Sequence, residues 1–344
     1  MKAALITGQY VLEIRDFSFP ELAGPTQAVV EILKTGICGS DVTAFRDGEA
    51  YPPFLSGHEW VGRVISVGSE VTHLKVGDRV VAGTPAACGN CQMCRRGHGE
   101  RCIELTALAF GTHPHTPQHG GYAERIEVPA EILIPIPSEI GDEAAAMIEP
   151  AAVALHAIRR HTPRMGDVVV VVGAGPVGLF AVQMLRQSGA ARVIVIEPQA
   201  RRQKLALSMG ADSALAPGPE ALEAIQDATH GLGADIVYDC VGNEKALTAA
   251  VEYCRSGATL VMIGATSGAV KVSPLAWLGK ELTIATSLAH LNHEFPLVID
   301  LMARGRLNTE ALVDETIGLG DLEKVLTQLA SGLDRVKVLV DARS

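Results

Sequence analysis

The chain has 344 residues, more than one ordinary hydrophobic core sustains, so two domains are expected. Hydrophobic residues make up 48%, which excludes a disordered chain, and a net charge of -10 repels phosphate backbones and anionic lipid, which argues against nucleic acid and membrane partners. Seven cysteines, an odd number, fit a thiol-reducing cytoplasmic setting, in which clustered cysteines bind metal more often than they pair.

From residue 1 to about 150 the pattern is short strands and turns. The opening segment MKAALITGQYVLEIRDF is interrupted by Glu13, Arg15 and Asp16 and does not read as a secretory leader. Glycine and proline recur, and alternating pieces such as AVVEIL and GDRVVAG fit an all-β, barrel-like unit. This region carries Cys38 in GICGSD, and His58 and Glu59 in SGHEWVG. A thiolate, an imidazole and a carboxylate together suit zinc, although sequence distance alone does not assemble them. Next comes CGNCQMCRRGHGERC, residues 88–102, with Cys88, Cys91, Cys94 and Cys102 in a C-x2-C-x2-C-x7-C pattern. One CxxC could be a redox pair, but four thiols on such short loops suit a closed tetrahedral zinc that folds a polar, glycine-rich lobe. The insert ALAFGTHPHTPQHGGYAE is expected to be a surface loop with His113, His115 and His119 solvated. Glu149 offers a further carboxylate beside a proline-bounded helix start.

From about residue 167 the rhythm changes to apolar β-branched strands alternating with helical segments, the mark of a parallel, doubly wound sheet. The uncharged span Val168 to Leu185 is long enough to raise a membrane helix, but a valine run followed by glycines and a proline reads as strand, turn and helix. That turn is GAGPVG, a G-x-G-x-x-G in which Gly173, Gly175, Pro176, Val177 and Gly178 open the helix. The first glycine permits the turn, the second lets backbone approach a pyrophosphate, the third allows close helix–strand packing, and the helix N-terminus attracts the phosphates. Glu197 closes the next strand nineteen residues after Gly178, placed to accept hydrogen bonds from both ribose hydroxyls and to repel a 2′-phosphate. NAD is therefore expected over NADP, with Arg201 and Arg202 the nearby residues that could argue otherwise. Past residue 286 two helical segments, FPLVIDLMARG and GDLEKVLTQLA, precede an apolar strand, RVKVLV, that could return to the first domain.

Gly57-His58-Glu59 with Gly62, Gly68 and Val71, together with CGSD, the four-cysteine lobe, GDRV, GGYAE and GAGPVG in that order, resembles the zinc-containing alcohol dehydrogenases of the medium-chain dehydrogenase/reductase superfamily, of the polyol, butanediol and threonine dehydrogenase kind. The resemblance spans essentially the whole chain. It implies an α/β protein: a GroES-like β-barrel catalytic domain, residues 1–150 and 286–344 with the lobe at 88–102, joined to a Rossmann doubly wound parallel sheet, residues 151–285. It implies two zinc ions, one catalytic at Cys38, His58 and Glu59 or Glu149, and one structural. Ser40 is implied as the first proton-relay hydroxyl, and Val241, Ile263, Ser287 and Arg202 as further cofactor contacts. Where relatives often carry a relay histidine this chain has Thr43, which leaves the proton's exit open.

The activity implied is reversible, NAD-linked oxidation of a secondary alcohol or vicinal diol to the ketone, with L-threonine or a sugar alcohol as the alternative. The segment TSLAHLNHEFP has Leu288, Ala289 and His290 where sorbitol-type relatives place an arginine, which weakens the sugar-alcohol case. A zinc-free quinone or enone reductase and a non-enzymatic crystallin-like protein are the readings from other classes. The partners expected are a small alcohol or ketone and further copies of the chain, a tetramer before a dimer.

Overall fold

The computed structural model describes residues 1–18, 22–48, 51–113, 117–265 and 268–344. They divide into two compact units, one of Met1–Glu149, Leu291–Ala303 and Val313–Ser344, the other of Pro150–His290 and Arg304–Leu312.

In the first unit, β1 (Lys2–Gly8) and β2 (Val11–Asp16) form an antiparallel pair. The long strand β3 (Gln27–Gly36) is the axis of a second sheet, with Val29, Val30 and Ile32 buried. It turns directly into helix α1 (Gly39–Asp47), then β4 (Glu59–Val67) returns antiparallel alongside it and β5 (Arg79–Ala82) pairs with β4. The pairing sets Glu59 opposite Gly36, and a Cβ at Gly36 would lie 2.2 Å from the Glu59 carboxylate, so glycine there makes room for the acid. The lobe follows with α2 (Gln92–Arg95) and α3 (Ile103–Ala109), then β6 (Arg125–Pro129) on β3, β7 (Leu133–Pro135) on β5, and α4 (Asp142–Ala145).

The chain passes through α5 (Ile148–Arg160) to the second unit. There β8 (Val168–Val172), α6 (Pro176–Gln187), β9 (Arg192–Ile196), α7 (Ala200–Ser208) and β10 (Ser213–Leu215) alternate, followed by α8 (Pro219–Ala228), β11 (Ala234–Asp239), α9 (Glu244–Tyr253), β12 (Cys254–Met262), α10 (Pro274–Gly279) and β13 (Thr283–Thr286). All six strands are parallel, in the order β10-β9-β8-β11-β12-β13. The direction of winding reverses between β8 and β11, the switch point at which open α/β sheets take their ligands. Its core is apolar and continuous, from Val170, Ile194 and Val237 to Leu247 and Leu260.

The chain then re-enters the first unit with α11 (Phe295–Ala303), β14 (Val313–Gly318), α12 (Leu322–Ala330) and β15 (Lys337–Asp341). The terminal strand does return: β15 pairs antiparallel with β3 and parallel with β14. No helix among the described residues is long and apolar enough to cross a membrane; Val168 to Leu185 is β8, a turn and α6.

Candidate metal centres and nucleotide loop

Cys38 ends the turn out of β3 and caps α1, while His58 and Glu59 stand at the start of β4, so the β3–β4 pairing brings them face to face. One donor atom from each of Cys38, His58 and Glu59 lies within 4.8 Å of the others. Glu149 does not belong to that set, yet its charge is felt by His58, Glu59 and Lys337. The His58 Nδ1 lies 2.9 Å from the Leu55 carbonyl oxygen. A carbonyl only accepts, so Nδ1 carries the hydrogen and Nε2 keeps the lone pair that a metal needs. Burial pushes His58 down, but the thiolate of Cys38 and the carboxylates of Asp41 and Glu149 outweigh it and hold the imidazole well above its ordinary value. Surroundings of that sign attract any cation.

One residue behind this set was not singled out by the sequence. Lys337, 1% exposed, ion-pairs with Glu59 and donates to the Ile37 carbonyl at 2.9 Å. Burial alone would push its ammonium down; the Glu59 carboxylate overcomes that and holds it above its ordinary value. The signal was present as a lysine inside the apolar strand RVKVLV. Asp41, fully buried, accepts from the Cys38 backbone N–H at 3.0 Å and from the hydroxyls of Tyr51 and Tyr122 at 2.9 and 2.8 Å. Ser40 Oγ lies 3.2 Å from the Tyr51 hydroxyl.

In the lobe, Cys88, Cys91, Cys94 and Cys102 place their sulfurs within 4.8 Å of one another. The Cys91–Cys94 separation is 3.4 Å, and Cys88–Cys94 and Cys91–Cys102 are 3.9 Å. These are far too long for a disulfide, and they approach the spacing of about 3.8 Å that four thiolates adopt around one tetrahedral zinc. Backbone N–H groups of Cys88, Cys91 and Cys94 point at sulfurs of the same set. Such donors favour thiolate, and those of Cys94 and Ile103 help draw Cys91 down to about 6. Of the insert histidines, His113 pairs with Glu104 at 3.3 Å, and His115 lies outside the described residues. His119 departs from the expected solvated state: it is half-buried, because its ring tilts against Phe17 at 4.9 Å, just past β2, and it donates to the Gly120 carbonyl.

In the second unit the glycine loop joins β8 to α6 at the switch point. Gly173 has φ of 95°, a left-handed conformation that excludes most side chains, and a Cβ at Gly178 would lie 2.0 Å from the Gly173 carbonyl. A Cβ at Gly175 would meet nothing within 4 Å, so that glycine faces open space at the helix N-terminus, while Pro176 and Val177 form the half-buried first turn. Glu197, 4% exposed, accepts from the Ala174 and Gln199 backbone N–H groups at 2.8 and 2.9 Å, one on each oxygen. Its carboxylate therefore bridges the glycine loop and the start of α7, where Arg202 sits half-buried in the first turn. Asp239, also unforeseen, folds the β11 turn by accepting from the N–H groups of Val241 and Gly242, and its carbonyl takes that of Ile263. Ser287, 5% exposed at the end of β13, leaves its Oγ without a hydrogen-bond partner, the kind of buried hydroxyl a bound ligand satisfies.

The alcohol dehydrogenase GroES-like domain family matches residues 24–138, and the zinc-binding dehydrogenase family matches residues 176–304. The chain belongs to the zinc-binding alcohol dehydrogenase family. This dehydrogenase is 31% identical over 338 residues to a probable D-xylulose reductase A from Aspergillus clavatus, across 95% of this chain and 93% of the relative. Among solved structures it is similar to a protein from Escherichia coli CFT073 described as a short chain alcohol dehydrogenase and complexed with NADH, at a TM-score of 0.83 and 32% identity, covering 99% and 98% of the two chains. It is also similar to a zinc-binding dehydrogenase from Sinorhizobium meliloti bound to NADP, at 0.86 and 29%, covering 98% of each. The dehydrogenase is thus an oxidoreductase of alcohols by family.

Proposed function

We propose that the chain is a zinc-dependent, NAD-linked dehydrogenase that reversibly converts a secondary alcohol or vicinal diol to the ketone. The convergence of Cys38, His58 and Glu59 carries this reading. One zinc would be held there, with Glu59 or Glu149 giving the carboxylate, and a second by the four lobe cysteines. The first would supply Lewis acidity, lowering the pKa of an alcohol's hydroxyl, and the nicotinamide would supply the hydride acceptor.

The chain's own groups divide the remaining work. His58 is oriented through Leu55, and Glu59 is restrained by Lys337. Ser40 takes the hydroxyl proton, while Asp41 fixes the loop that carries Ser40 and Cys38. The α6 N-terminus meets the pyrophosphate, Glu197 the ribose, and Arg202, Val241, Ile263 and Ser287 line the rest of the cofactor. NAD is favoured because Glu197 is buried with a backbone donor on each oxygen, which stabilises the anion that a 2′-phosphate would meet. A sugar alcohol is the second reading, supported by the D-xylulose reductase relative. A cytoplasmic setting and self-association, with a tetramer preferred, belong to the same proposal; sedimentation velocity tests the latter.

The deciding experiment counts zinc per chain and follows NADH absorbance across secondary alcohols, vicinal diols, polyols and L-threonine. Cys38→Ser is expected to lose one zinc and about 10³-fold in turnover, the several kcal/mol that a Lewis acid supplies, with its fold intact. A variant that matches the parent in zinc and rate overturns the assignment.

A further inference from the structure

Tyr51 precedes His58 by seven residues in a segment that no motif covers. Its hydroxyl lies 3.2 Å from Ser40 Oγ, donates to Asp41 Oδ1 at 2.9 Å and stands 3.4 Å from the Leu55 carbonyl oxygen. Asp41 is an acceptor on both oxygens, with its Oδ2 committed to the Cys38 N–H and the Tyr122 hydroxyl. Because the Tyr51 hydrogen points to Asp41, the lone pairs of its oxygen are what Ser40 meets, and the Ser40 hydroxyl is the donor of that pair. Tyr122 is fully buried behind Asp41, whereas Tyr51 is half-buried and keeps an edge in solvent.

We propose that Tyr51 is the second hydroxyl of the proton exit route, receiving from Ser40 the proton that leaves the substrate alcohol and passing one on to water. This rests on the reading that an alcohol is oxidised beside Cys38, His58 and Glu59. In the oxidative direction the substrate O–H bond breaks as a new O–H bond forms on Ser40. The original Ser40 proton bonds to the Tyr51 oxygen as the Tyr51 O–H turns from Asp41 toward the solvent-facing edge, where its original proton passes to bulk water. Each hydroxyl gains one proton and loses one, so neither changes charge; the electron pair leaves separately with the hydride to the nicotinamide. Tyr51 need not ionise, so the burial and the facing Asp41 and Cys38 charges that hold its phenol well above the ordinary value do not block the transfer. The route also supplies what Thr43, unable to act as a base near neutral pH, does not.

The test compares the parent with Tyr51→Phe, Ser40→Ala and the double variant, at saturating alcohol and NAD, in H2O and D2O, with zinc content and thermal midpoint recorded for each. Tyr51→Phe is expected to keep its zinc and its midpoint, to lose about 10- to 100-fold in kcat with KM changed less than about threefold, and to show a larger solvent isotope effect than the parent. Because the two hydroxyls act in series, the double variant is expected to be no more than about twofold slower than Ser40→Ala. Parental kcat in Tyr51→Phe overturns the proposal, as do losses that multiply in the double variant, or a loss that accompanies departure of the zinc. A parent that oxidises no alcohol while holding its zinc overturns the functional reading and this one with it, whereas a working parent with an indifferent Tyr51→Phe overturns this one alone.

Discussion

Lys337 sits within an apolar terminal strand, and its charge is tolerable only because Glu59 and the Ile37 carbonyl receive it. Removing one partner of such a buried pair strands the other in low dielectric, at a cost of about 3–5 kcal/mol. Lys337→Met is therefore expected to lower the unfolding free energy measured in urea titrations by that amount and to weaken zinc retention, since Glu59 would be released from its restraint. Parental stability in that variant would show that the pair is not formed. Glu197 makes a different prediction at the same scale. Both of its oxygens already anchor backbone at the glycine loop and α7. Glu197→Ala should thus raise the NADP to NAD ratio of kcat/KM by about tenfold or more, the worth of one to two hydrogen bonds to a charged group, and also loosen the loop. An unchanged ratio counts against the ribose role.

Elements differ in how much of their chemistry is local, and that decides what a sequence can reveal. The lobe brings Cys88, Cys91, Cys94 and Cys102 together within fifteen residues, so spacing alone predicts convergence. GAGPVG is equally local, because the φ of Gly173 and the tight approach of Gly178 are properties of one turn. The six-stranded parallel sheet was legible from valine and isoleucine runs alternating with helical segments. The Cys38, His58 and Glu59 set was legible only through the family resemblance, because its assembly depends on β3 pairing with β4, and Lys337 lies 278 residues beyond Glu59. Tyr51, Tyr122 and Asp239 carry no spacing signal; only the fold shows that their hydrogen bonds shape the site. Strand β15 gives a pH prediction. Burial lifts the Asp341 carboxyl, but the Arg343 side chain and N–H and the Lys34 ammonium outweigh it and bring it down to about 2. A depressed carboxylate stabilises the fold above its unfolded value near 3.8 and loses that contribution as pH falls toward about 2. Asp341→Asn should therefore cost about 1–2 kcal/mol at neutral pH, with the difference from the parent closing between about pH 4 and pH 2 in urea titrations.

At the scale of the whole molecule, two sets of ligands with different duties should come apart in order. The four lobe sulfurs would close a tetrahedral shell and hold a polar, glycine-rich segment that has few apolar residues of its own, so metal binding there is also folding energy. The Cys38, His58 and Glu59 set lies in β-sheet already supported by the cores around Val30, Val64 and Phe45, so its geometry survives without help from the ion. A chelator titrated into the purified protein is therefore expected to remove activity with the first equivalent of zinc while the circular dichroism and thermal midpoint hold. Removal of the second should lower the midpoint, and Cys91→Ser should reproduce that loss of stability in protein still holding the first zinc. Activity that persists until the second equivalent departs would reverse the two duties, and the chemistry would have to be sought at the lobe.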